Sequence, residues 1–126
     1  MIIKPQNGVK EDEASISKDP EEVCGITDNV RNTRVVGGKT ATLNAWPWAA
    51  ALGNLTCDGK LHLKCAGTLI NKDYVLTAAS CFMGYGNKPW SDKPTMVRLG
   101  DLDITTDSDG ASHEDFMIHH TIYHPE

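Results

Sequence analysis

Tyr74-Val75-Leu76-Thr77-Ala78-Ala79-Ser80-Cys81 is the stretch on which the reading of this chain turns. Tyr74 to Leu76 is a short apolar run of the kind that makes a buried strand. Small residues follow, and then a cysteine. Sixteen residues upstream of Cys81, Cys65 begins Cys65-Ala66-Gly67-Thr68-Leu69-Ile70. Between the two, Asn71-Lys72-Asp73 has the composition of a tight turn. The unit therefore reads as strand, turn, strand, with a cysteine on each arm.

Outward from this unit the pattern stays β. Leu61, Leu63 and Cys65 alternate with His62 and Lys64, so Leu61–Ile70 is a half-buried strand. Trp46–Leu52 is the strand before it, and Ala49–Leu52 is compact enough to pack inside. After Cys81, Met83–Pro94 is a loop rich in Gly, Pro and polar residues. Met96–Leu99 and Phe116–Tyr123 follow as strands. Five strands result, with Trp46, Trp48, Val75, Leu76 and Leu99 as the partial core. Residues 1 to about 23 are polar and charged, with Pro20 among them, which is linker composition.

Composition narrows the function classes. At 126 residues the chain holds one domain. A net charge of -5 argues against a nucleic-acid partner. No apolar run reaches membrane-spanning length, and Met1-Ile2-Ile3-Lys4-Pro5-Gln6 lacks the apolar core of a signal peptide. Four cysteines allow three pairings, and spacing alone does not choose among them. No Cys-x-x-Cys pair favours zinc. His113, His119, His120 and His124 are close in sequence, but strand neighbours such as His119 and His120 point to opposite faces. Asn54-Leu55-Thr56 is an N-glycosylation acceptor triplet in a turn-rich region before Cys57.

Several motifs occur in a fixed order. They are Arg34-Val35-Val36-Gly37-Gly38, Ala45-Trp46-Pro47-Trp48, the Cys65 segment, Leu76 to Cys81, Met96-Val97-Arg98-Leu99-Gly100-Asp101, and His124-Pro125-Glu126. Together they resemble the start of a trypsin-like (chymotrypsin-fold, S1) serine protease domain of the arthropod clip-protease kind, from about Cys24 to Glu126. The resemblance implies an all-β fold, the first six-stranded antiparallel barrel of a two-barrel protease, with about five strands present. It implies a pro-segment or linker over 1–34 and the front of the protease domain over 35–126, the remainder lying beyond Glu126. It pairs Cys65 with Cys81 and makes Cys24 the cysteine that tethers the pro-segment. Cys57 has no family counterpart, and pairing with Cys24 stays open. Arg34-Val35 becomes the activation bond, cut by a trypsin-like activator to free a buried amine at Val35. The resemblance also implies a protein partner or activating protease and an extracellular location. Asp101–Asp115, rich in carboxylates, resembles the family's calcium loop, with Asp101, Asp103 and Glu114 or Asp115 as side-chain ligands. A solvated acidic loop is the plainer alternative.

One position departs from the family. Where it carries its catalytic histidine, in Leu-Thr-Ala-Ala-His-Cys, this chain has Ser80. A serine hydroxyl is not a base near neutral pH and does not replace an imidazole. Losing the base from an intact triad costs roughly five to six orders of magnitude in turnover. His62 and His113 are the nearest substitutes in sequence, and nothing in the pattern favours either. The catalytic aspartate and the Gly-Asp-Ser-Gly-Gly segment are not in this stretch. The expectation is a non-catalytic protease homologue. Its rivals are a fragment of an active endopeptidase with a sequence error at 80, and a calcium-binding secreted glycoprotein module built on Asp101–Asp115.

Overall fold

The structure, a computed structural model, describes residues 2–5, 25–26, 38, 40–106 and 108–125. Its strands are β1 (Ile2–Pro5), β2 (Ala49–Leu55), β3 (Leu61–Leu69), β4 (Val75–Leu76), β5 (Met96–Leu99) and β6 (Glu114–Ile122). Strands β2 to β6 form a five-stranded antiparallel sheet consistent with a trypsin-fold half-barrel. The order along it is β4, β3, β2, β5, β6, and β1 pairs with both outer members.

Within the stretch expected to be linker, Ile2–Pro5 form a strand. Two consecutive β-branched isoleucines favour extended backbone. Ile2 lies opposite Leu76 on one side and Ile122 on the other, and Ile3 lies between Val75 and Thr121. Composition over a long window hides this four-residue strand, because the residues after it are charged.

The core is small. Ala50, Leu52, Val75, Phe82 and Val97 are buried together, with Cys65, Leu69, Cys81, Leu99, Ile118 and Tyr123 packed around them. Trp46 and Leu76, expected inside, are 46% and 47% exposed. Leu76 follows buried Val75 on a two-residue strand, so the pleat turns it outward. Trp46 precedes β2 and packs edge-on against Trp48, with ring centroids 5.9 Å apart. Phe82, just after the cysteine, is 1% exposed and takes the central place instead.

Two irregularities interrupt the strand ladders. Between Leu52 and Gly53 the β2–β3 register shifts. A Cβ at Gly53 would lie 2.1 Å from the His62 carbonyl oxygen, so only glycine lets the two backbones approach there. On β6, Lys4 pairs with His120 but Pro5 pairs with Ile118, so His119 is an extra residue. The bulge breaks the period-2 argument. His119 and His120 are both exposed, and the inward set passes from Phe116 and Ile118 to Thr121 and Tyr123.

Candidate functional site

The chain leaves β4 through Thr77 and an extended Ala78 and turns into a short 3-10 segment, Ala79–Cys81. Small side chains make this tight turn cheap. Thr77 Oγ1 donates to the Ala66 carbonyl at 2.8 Å, which ties the turn to β3. Cys81 is bridged to Cys65, with Cα atoms 6.0 Å apart, which ties it again. Closing a loop of this length stabilises the fold by about 3 kcal/mol. Phe82 then anchors the exit in the core.

Ser80 sits on this doubly tethered turn. Its carbonyl accepts from Trp90 Nε1 at 3.0 Å, and the Trp90 amide donates to the Phe82 carbonyl at 2.9 Å. The indole lies across Gly84, where a Cβ would meet the ring at 3.1 Å. So the backbone at Ser80 is held from three directions, while the residue itself is exposed. Chemically the position offers an alcohol, a hydrogen-bond donor and acceptor but not a base. His62 sits at the far end of β3 from Thr68 and Leu69, the residues that pair with β4. His113 Nδ1 lies 3.7 Å from Asp101 Oδ2, in a different cluster.

Residue types alone do not point to that cluster. Arg98, on β5, is 4% exposed. Its Nε and Nη2 donate to the two oxygens of Asp115 at 2.7 and 2.9 Å, a bidentate pair, and Nη1 donates to Asp101 Oδ2 at 3.3 Å. The register places Arg98 directly across from Asp115 on β6. Hydrogen bonding from Arg98, aided by its charge and opposed by burial, holds the Asp115 carboxyl below its usual value of 3.8. The same bonds push the Arg98 guanidinium upward. The sequence does contain a signal: one arginine on an apolar strand, facing an acidic loop and an acidic strand start.

The residues of the calcium expectation lie in and beside this cluster. Asp101 is turned to the guanidinium of Arg98, with 6% of its side chain exposed, and its Oδ1 has no hydrogen-bond partner among the described residues. Asp103 accepts from the amide and hydroxyl of Thr105. Asp109 accepts from the amides of Asp103 and Ala111, at 2.7 and 2.9 Å. Those bonds, from the Thr105 hydroxyl first in one case and the Ala111 amide first in the other, lower both carboxyls. Glu114 is exposed on β6, opposite Leu99. Among the described residues no three His, Cys, Asp or Glu side chains gather as a metal site. At buried Asp101 a guanidinium already faces the carboxylate.

Asn54, the expected glycan acceptor, is hydrogen-bonded to other segments. Asn54 lies on β2 rather than in a loop. Its Oδ1 accepts from the amide and hydroxyl of Thr95 at 2.9 and 2.8 Å, and its Nδ2 donates to Asp92 Oδ1 at 3.0 Å. Asp92 also pairs with Lys64, and the hydrogen bond from Lys64, before other causes, lowers its carboxyl. The amide is a clamp on the loop before β5. Cys57, exposed in the β2–β3 turn, forms no disulfide among the described residues. Cys24, Arg34 and Val35 lie outside the described residues. No helix among the described residues is long and apolar enough to cross a membrane.

Comparison with known proteins gives the family. The chain is 42% identical over 106 residues to a venom serine protease of Bombus ignitus, covering 82% of this chain and 27% of that one. It is 39% identical over 90 residues to phenoloxidase-activating enzyme 1 of Spodoptera litura (71% and 23%). It is 32% identical over 104 residues to the proclotting enzyme of Tachypleus tridentatus (82% and 27%). The chain thus spans about a quarter of the length of these relatives. No solved structure matches it. The trypsin family model matches residues 35–126, and the chain belongs to the trypsin family of serine proteases.

Proposed function

We propose that this chain is the front part of a secreted, trypsin-family protein that has lost catalysis and acts by binding other proteins. The observation that carries the reading is the alcohol at Ser80 on a turn whose backbone is fixed by the Cys65–Cys81 bridge and by Trp90. In the family resemblance that turn holds the proton acceptor. Neither candidate substitute base stands beside it: His62 is at the far end of β3, and His113 lies beside Asp101. With no base, the attacking hydroxyl supplied by the rest of the protein stays protonated.

Residues 1–34 are read as the pro-segment and 35–126 as the beginning of the first of two barrels. Cleavage between Arg34 and Val35 by a trypsin-like activator would free an amine at Val35, a buried-charge switch that is favourable only when its partner is present. The bridge suits an oxidising, extracellular compartment. The settings named for the relatives are venom, phenoloxidase activation and clotting. In each, an inactive homologue would serve as a partner of active proteases.

The test uses the verified full-length transcript product, secreted and processed. Assayed on an arginine amide, it is expected to show no turnover, while a Ser80→His variant gains it. Turnover by the protein with an alcohol at position 80 would overturn the proposal. A transcript that encodes histidine at this codon would establish the rival, an active endopeptidase.

A further inference from the structure

We propose that Trp90 is the positioning residue of the Ser80 turn and that Asp92, held by side chains of β2 and β3, in turn sets Trp90. Three observations carry this. First, the carbonyls of the turn are satisfied in different ways. Ala78 accepts from the Cys81 amide at 3.2 Å, and Ala79 from the amides of Phe82 and Met83, both at 3.0 Å. These bonds are local. The Ser80 carbonyl is bonded instead by a side chain of another segment, Trp90 Nε1 at 3.0 Å, and the Trp90 amide takes the Phe82 carbonyl at 2.9 Å. One residue thus grips the chain on both sides of Cys81. No side chain caps the turn at Ala78.

Second, the return arm of the loop is fixed at Asp92 and Thr95 as well. Asp92 Oδ1 accepts from Asn54 Nδ2 at 3.0 Å, and Oδ2 accepts from Lys64 Nζ. Thr95 donates to Asn54 Oδ1 through its amide and its hydroxyl, and its carbonyl accepts from the Ile118 amide at 2.8 Å. Only Ser91 separates Asp92 from Trp90. Third, Lys64 is the extra residue of β3 where the register with β2 shifts, since Leu52 pairs with Cys65 and Gly53 with Leu63. A bulge of this kind re-aims a side chain. Here the Lys64 side chain is 20% exposed, and its ammonium meets Asp92.

Lys64 and Cys65 therefore reach one turn from adjacent positions. Cys65 does so through the disulfide to Cys81, and Lys64 through Asp92 and Trp90. The second route orients the Ser80 and Phe82 carbonyls, because a hydrogen bond is directional. The Lys64–Asp92 pair is a surface pair, Asp92 being 71% exposed, and such a pair adds little to global stability. Its effect is local: it decides where the return arm lies. The indole then settles on Gly84, where a Cβ would meet the ring at 3.1 Å. The inference deepens the reading of Ser80 given above by naming what fixes that position, and its readouts do not depend on catalysis.

The test is hydrogen exchange and indole NMR on the full-length protein. Trp90→Phe keeps a ring over Gly84 and removes the Nε1 donor. It is expected to speed exchange of the Cys81, Phe82 and Met83 amides about fivefold, the worth of one hydrogen bond, with Ala50–Leu52 and Val97 unchanged. Asp92→Asn and Lys64→Met leave the indole in place. Each should speed the same three amides and shift the Trp90 Nε1–H resonance, with little change in Tm. Lys64→Arg keeps the cation and should match the wild type in both readouts. Unchanged exchange at Cys81–Met83 in Asp92→Asn and Lys64→Met would overturn the proposal. So would acceleration that is equal in Ala50–Leu52, or a Lys64→Arg variant that behaves like Lys64→Met. Should Trp90→Phe fail to fold, exchange in the Asp92 and Lys64 variants decides alone.

Discussion

Replacing Arg98 with methionine isolates the buried charge cluster beside β5. The side chain is of similar length, so packing along β5 is largely kept while the guanidinium is lost. What remains is Asp115, 23% exposed, and Asp101, 6% exposed. Removing one member of a buried pair costs about 3–5 kcal/mol, because the partner is left charged and dry. Asp115 regains water through its exposed quarter, which argues for the lower end. Asp101 has no such route. The expected cost is therefore about 3 kcal/mol at pH 7, about two orders of magnitude in the folding equilibrium. The pH dependence supplies a second check. In the folded protein the Asp115 carboxyl lies below its usual 3.8. A lowered folded value means that the pair's contribution is complete above the unfolded value and is lost as pH falls through the folded one. The gap between wild type and variant should thus be widest at neutral pH and narrow as the pH drops below about 4. Urea unfolding, followed by tryptophan fluorescence from pH 7 to pH 3.5, measures both. A penalty under 1 kcal/mol at pH 7, or a gap that does not narrow in acid, would refute the reasoning.

Three other outcomes can be checked by thermal or urea unfolding. Phe82→Ala should cost about 3–5 kcal/mol, since the ring is 1% exposed at the centre of the core and holds the exit of the Ser80 turn. Paired Cys65→Ala and Cys81→Ala changes should cost about 3 kcal/mol and speed exchange in Ala79–Cys81 more than in β2. Millimolar calcium is expected to leave Tm unchanged, because among the described residues no three carboxylate or imidazole side chains gather in the acidic loop; a rise of several degrees that Asp103→Asn abolishes would contradict this.

The β character, the five strands β2 to β6 and the strand-turn-strand unit around Cys65 and Cys81 are all legible in order and spacing. Period-2 alternation and turn residues are local signals, and each of these elements is bounded by them. Val75 as core and the Cys65–Cys81 bridge belong with them, the latter by family resemblance. The errors share a cause. Hydrophobicity ranks Trp46 and Leu76 as core and passes over Phe82, whereas pleat direction and the position of a turn decide which of them faces in. Strict alternation separates His119 from His120, and a one-residue bulge removes that alternation.

Asp101 and Asn54 show the limit most plainly. Read as residue types, one is a calcium ligand and the other a glycan acceptor. Their partners, Arg98 and His113 for the first, Thr95 and Asp92 for the second, reach them from other segments. By itself the sequence determined family, strand order and the alcohol at position 80, because these are written in contiguous residues. Only the tertiary structure decided which carboxylate meets a guanidinium and which segment pairs with both β4 and β6, because each depends on the pairing of strands distant in sequence, for β1 and β6 nearly the whole length of the chain.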